Sequence, residues 1–148
     1  MSREIKFKVW ENDKKIFLSE HDVSFFSLDD MKYNDPHVFL QYTGLKDKNG
    51  KEVYEGDIIK WKETRFHNEQ QKSKGVPMPK FYKSAVEWQY GEFIVSSDDN
   101  YDTPLCCFFG DSLGNKFDFK PEIIGNIYES PELLTKNLTV NDAEIIKN

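Results

Sequence analysis

Residues 41 to 60, QYTGLKDKNGKEVYEGDIIK, read as a β-hairpin and set the fold class. Asn49-Gly50 offers two residues that tolerate positive φ, the requirement of a tight primed turn, and Glu55-Gly56-Asp57 then turns the chain into the apolar pair Ile58-Ile59. Immediately before this run, Asn34-Asp35-Pro36 marks a turn. His37 to Thr43 then resumes an extended pattern with Val38, Leu40 and Tyr42 on one face, which starts the main domain at residue 37.

Working outward, Ile5, Phe7 and Val9 alternate with Lys6, Lys8 and Trp10, the period of a strand with one buried face. Glu11 to Lys14 reads as a turn and Lys15 to Leu18 as its return strand, giving an N-terminal hairpin. Residues 19–36 support either one helical turn after Ser27 or a strand through Phe25-Phe26, and stay unassigned. On the other side, residues 62–80, KETRFHNEQQKSKGVPMPK, are polar, carry two prolines and lack either periodicity, so they read as a long loop. Ser84–Trp88 and Glu92–Ser96 form a further hairpin about Tyr90-Gly91, with Val86 and Trp88 on one face. Leu105–Phe109 reads as a short apolar strand, and Ile123–Tyr128 as a last strand with a bulge or close approach at Gly125. Ser130-Pro131-Glu132 signals the start of a short helix covering Leu133 and Leu134.

The fold class is therefore mainly β, a small bent antiparallel sheet closing on itself as a sandwich or barrel. The division is residues 1–36 as hairpin and linker, 37–136 as the barrel domain and 137–148 as a polar tail. With 12 Phe, 7 Tyr and 3 Trp among 148 residues, the apolar complement suits half-buried pleated surfaces. Twenty Lys and Arg against 26 Asp and Glu give a net charge of −6, which disfavours a polyanion as default partner. No stretch has the length of a membrane span or the apolar core of a signal peptide, so the expected location is the cytoplasm. The two cysteines, Cys106 and Cys107, are adjacent and expected to be reduced, one facing in and one out.

Three segments together resemble the YopX-like proteins of phages and prophages: REIKFKVW at residues 3–10, the central run at 41–60, and IIGNIYESPELL at 123–134. The resemblance implies an SH3-like barrel, expression inside a bacterial host and an accessory role, and it supplies no catalytic residues. Residues 62–80 and 97–120 depart from it and are where individual specificity is expected.

Reactive constellations are absent from the sequence. His21, His37 and His67 are scattered, and no nucleophile elbow, phosphate loop or zinc motif occurs, so neither enzyme activity nor a cofactor is expected. Asp98, Asn100 and Asp102 begin a calcium-loop spacing that fails at Thr103 and Phe109, and reads as a solvated acidic turn. What remains is binding. A host or phage protein is the expected partner, self-association through strand edges is compatible with it, and the alternative is nucleic acid held by the basic stretch 62–80. The candidate contact residues are Trp61, Lys62, Arg65, Lys72, Lys74, Lys80, Tyr82 and Trp88.

Overall fold

The computed structural model describes residues 4–27, 29–30, 36–65, 69–75, 78–96, 102–108 and 120–134. The chain is mainly β, curled into an antiparallel half-barrel. Its strands are β1 (Phe7–Glu11), β2 (Ile16–Phe17), β3 (His37–Lys46), β4 (Glu52–Tyr54), β5 (Asp57–Arg65), β6 (Met78–Ala85), β7 (Glu87–Gln89), β8 (Glu92–Ser96), β9 (Asp102–Pro104) and β10 (Glu122–Asn126). The described residues also form the short helices α1 (Glu20–Val23) and α2 (Glu69–Lys74). Among the described residues three antiparallel sheets result, in the orders β2-β1-β3-β4, β10-β5-β6 and β7-β8-β9. The sequence break at residue 36 falls between two strands of one sheet, because β1 pairs with β3 from Phe7↔Gln41 to Glu11↔His37.

One core joins all three sheets. Val53 from β4, Ile59 and Trp61 from β5, Tyr82 from β6, Val95 from β8, and Val86, Leu105 and Phe108 from the connections are all buried together. Such burial contributes about 1.5–3 kcal/mol for each large aliphatic or aromatic side chain.

The decisive stretch pairs β3 with β4, but its turn differs from the expected primed type. Only Gly50 takes positive φ, at +80°. Asp47 sets the alternative: its carbonyl accepts from the Gly50 N–H at 3.0 Å, and its Oδ1 accepts from the Asn49 and Lys51 N–H groups, both at 2.9 Å. The result is a type I turn followed by a left-handed glycine. The primed geometry lies instead at Tyr90-Gly91, where φ is +53° and +86° and Gln89 pairs with Glu92 across a two-residue loop. Tyr90 is 93 % exposed, so its ring contributes nothing to the core. Asn tolerates this φ better than Tyr does, and Tyr90→Asn is expected to stabilise the protein by about 0.5–1 kcal/mol, read as a rise in thermal midpoint. A fall in midpoint would show that the Tyr90 ring makes a favourable contact.

Glu55-Gly56-Asp57 is a corner at which the chain leaves the first sheet for the second. Gly56 has φ +83°, and a Cβ there would stand 3.1 Å from the Tyr128 ring. The corner is tied to both later sheets: the Gly56 N–H donates to the Val86 carbonyl at 2.8 Å, and the Ile127 N–H donates to the Gly56 carbonyl at 2.9 Å. Asp57 is buried, and its Oδ2 accepts the Tyr54 N–H at 2.8 Å. Burial pushes its carboxyl above the usual aspartate range, against the opposing pull of that hydrogen bond. A raised pKa means the folded state binds the proton more tightly than the unfolded chain, so this contribution to stability falls as pH rises through the window between the two values. Asp57→Asn keeps an acceptor and removes the charge; denaturation of both proteins between pH 4.5 and 7 is expected to show wild type gaining on the variant as pH falls. Asp57→Ala leaves the Tyr54 N–H unpaired and is expected to cost about 1–3 kcal/mol at every pH.

Several other expectations are corrected. Residues 62–80 are not a structureless loop, since β5 runs on to Arg65 and pairs with β6 as far as Arg65↔Met78, with α2 at the tip. Pro79 is accommodated because β6 is an edge strand. Trp10 does not face away from the core. It is 3 % exposed, packed on Phe17 and Tyr128 at ring distances of 4.9 and 5.5 Å, while Ile5 on the supposed inner face is 68 % exposed. Leu105–Phe108 forms a 3-10 turn, the nearby strand being β9, and Val86 is a buried connector whereas Trp88 is 47 % exposed. Cys106 is exposed and Cys107 half-buried, both as free thiols.

Gly125 marks a bulge, the β5 register shifting between Ile123 and Gly125. A Cβ at that glycine would meet Leu133 Cδ1 at 2.7 Å, so the glycine lets the 3-10 turn Pro131–Leu134 lie against β10. Residues 137–148 lie outside the described residues.

Candidate functional site

The N-terminal sheet carries a groove of about 840 Å³, lined by β1, β2, α1 and β4. Its wall at α1 depends on Ser19, whose Oγ accepts the Asp22 N–H at 3.2 Å and donates to Asp22 Oδ2 at 2.6 Å. These bonds cap the first turn and set Glu20, Val23 and Ser24 along one side. Phe7, Phe17 and Leu18 supply apolar lining, and Lys51, Glu52 and Tyr54 close the opposite side.

The charges in the groove are ordered by contact. Lys6 Nζ lies 2.6 Å from Glu52 Oε1 and 2.9 Å from Glu4 Oε1, and the Tyr54 hydroxyl donates to Glu52 Oε2 at 2.9 Å. Lys6, just before β1, and Lys8 on β1 also cover rings: Lys6 Nζ stands 5.4 Å from the Tyr42 centroid, and Lys8 Nζ stands 4.5 Å from Tyr54 and 5.9 Å from Phe17. The hydrogen bond to Glu52, then that to Glu4, raises the Lys6 ammonium further above its ordinary value. The same Lys6 contact, with help from Tyr54, holds the Glu52 carboxyl below the usual range. Burial, then the Glu52 contact, pushes the Tyr54 phenol up. Every shift leads away from neutrality, whereas a general acid or base operates best near it. The arrangement offers charge, aromatic faces and apolar depth for contact.

The residues expected from sequence to make contacts are dispersed. Trp61 and Tyr82 are core side chains, each 2 % exposed, with rings stacked at 5.6 Å. Lys62 is half-buried on β5, and Arg65 ends that strand. Lys72 and Lys74 are exposed on α2. Lys80 Nζ lies over the Tyr82 ring at 4.7 Å. Trp88 packs edge-on to Phe93 at 4.7 Å, beside a second groove of about 270 Å³ that also takes in Leu45 and Cys106. Asp98 and Asn100 lie outside the described residues, and Asp102 accepts the Ser96 hydroxyl at 2.7 Å. Among the described residues no group of three His, Cys, Asp or Glu side chains is arranged to hold a metal ion. Nor, among them, is any helix long and apolar enough to cross a membrane.

Sequence reasoning missed the groove residues Lys6, Lys8, Glu52 and Tyr54. The signal was partial: the alternation through residues 5–10 puts Lys6 and Lys8 on one face, and Glu52 and Tyr54 share one face of β4. Only the pairing of β1 with the far side of β3 brings the two faces together.

The chain is similar to protein EF1440 from Enterococcus faecalis, whose crystal structure aligns over 90% of this chain and 99% of that one at 22% identity, with a TM-score of 0.49. No curated protein matches it. The sequence profile described as YopX protein matches residues 3–135, nearly the whole length, and the chain therefore belongs to the YopX family.

Proposed function

We propose that this YopX-family chain is a non-enzymatic protein-binding module that docks its partner in the groove between β1, β2, α1 and β4. The observation that carries this reading is the groove itself, about 840 Å³ of apolar and aromatic lining around paired charges. Grooves of this type receive peptide segments through a few apolar anchors and oriented polar groups. The charge states fixed at Lys6, Glu52 and Tyr54 favour contact over proton transfer. The role is accessory, in the cytoplasm of a bacterial host carrying a phage or prophage, and the half-barrel closes in the manner of an SH3-like barrel. Affinity capture from host lysate tests it: a specific protein retained by wild type and by Tyr90→Asn is expected to be lost with Val23→Arg, which fills the groove. Capture that is insensitive to Val23→Arg contradicts it.

A second reading, nucleic-acid binding, has its own observation. The β5–β6 register places Lys60, Lys62, Phe81 and Lys83 on the same face of the ribbon, with Lys72 and Lys74 exposed at its tip. Cations flanking an aromatic ring are the elements of a single-strand platform. On this reading, single-stranded DNA binds at low salt, weakens steeply with added salt, and is released by Lys62→Glu with Lys72→Glu. Absence of binding at low salt removes it.

A further inference from the structure

Resting on the protein-binding reading, we propose that the groove takes an extended peptide segment carrying an acidic residue next to an aliphatic or aromatic one. The charge pattern selects the acid. Lys6 is already neutralised by Glu52 and Glu4, and Glu52 also accepts from Tyr54. Lys8 differs: its ammonium rests on the Tyr54 and Phe17 rings, and the carboxylate that acts on it, Asp57, is buried and engaged by the Tyr54 N–H. Lys51, exposed on the same side, adds a second cation, whose pull on Asp47 and Asp57 is electrostatic and not a close ion pair. An ammonium held over aromatic faces keeps its charge while much of its hydration is displaced, and a carboxylate delivered there makes a charge-assisted hydrogen bond stronger than a neutral one.

Glu20 fixes the orientation. It lines the α1 side of the groove, opposite Lys51, and repels an acid there. The acidic residue therefore lies toward β4, and the apolar neighbour lies toward α1 against Phe17 and Val23.

The test is selection of ten-residue peptides from a random library on the whole protein, followed by fluorescence anisotropy of the enriched sequences. The expected result is enrichment of Asp or Glu adjacent to Leu, Ile or Phe. Affinity should fall tenfold or more with Lys8→Gln plus Lys51→Glu, and with 0.5 M salt. Thermal melting of the double variant confirms that it folds; if it does not, the Lys51→Glu single variant, altered at an exposed position, carries the comparison. Peptides enriched without an acidic position, yet displaced by Val23→Arg, overturn the acid preference and leave the groove reading intact. Peptides insensitive to Val23→Arg overturn the groove reading and this inference with it. No enrichment from the library contradicts both.

Discussion

Trp61→Ala is expected to cost about 4 kcal/mol of folding stability, a large part of the 5–15 kcal/mol typical of a domain. Trp61 is 2 % exposed, stacked on Tyr82 at 5.6 Å and edge-on to Phe108 at 5.2 Å, so it joins β5, β6 and the 3-10 turn Leu105–Phe108. Truncation removes both ring contacts and leaves a cavity between sheets that are each too small to refill it. Trp88→Ala is the comparison: at 47 % exposed and touching Phe93, that ring is expected to contribute only about 1 kcal/mol. Urea titration followed by circular dichroism measures both. A loss below about 1 kcal/mol for Trp61→Ala would show that the sheets do not share the core described.

Asp47→Ala is expected to cost about 3 kcal/mol. The carboxylate is 5 % exposed and accepts three backbone N–H bonds, from Asn49 and Lys51 at 2.9 Å and from Ile123 at 3.1 Å. The first two shape the β3–β4 turn. The third reaches across 76 positions of sequence to β10, where Lys48 and Lys60 both lie 3.2 Å from Glu122. Removal leaves three donors to find other partners, at roughly 1–3 kcal/mol for each one left buried. Asp47→Asn retains one oxygen and is expected to fall midway. Burial alone raises this carboxyl, but the Ile123, Lys51 and Asn49 N–H groups together outweigh it and hold the pKa below the usual value. A lowered pKa gives stability that is present above the ordinary aspartate range, about pH 4, and lost as pH falls through the folded value. The gap between wild type and Asp47→Ala should therefore narrow below about pH 4. A gap constant from pH 7 to pH 2.5 contradicts the assignment.

Strand composition, the glycine bulge at Gly125 and the turn at Tyr90-Gly91 were legible because each rests on local chemistry. Misreadings came where a distant partner decides. Asn49 stays out of the left-handed region because the Asp47 side chain binds the turn from inside. Trp10 is buried because Phe17 and Tyr128 cover the face that alternation assigns to solvent. The polar stretch 62–80 hid two strands, since a ribbon projecting past the last core residue, Trp61, has no reason to alternate apolar with polar. The groove was the least visible feature, for its two lysines and its Glu52–Tyr54 pair lie 46 positions apart and meet only through β3.

The most direct measurement of the central claim is photocrosslinking in the cells that make the protein. Benzoylphenylalanine would replace Glu20 at the groove, Tyr90 at the exposed hairpin or Lys72 on α2. A discrete adduct with another protein from position 20, weaker or absent from positions 90 and 72, is the predicted result. Adducts from position 90 or 72 with none from position 20 would contradict a partner seated between α1 and β4.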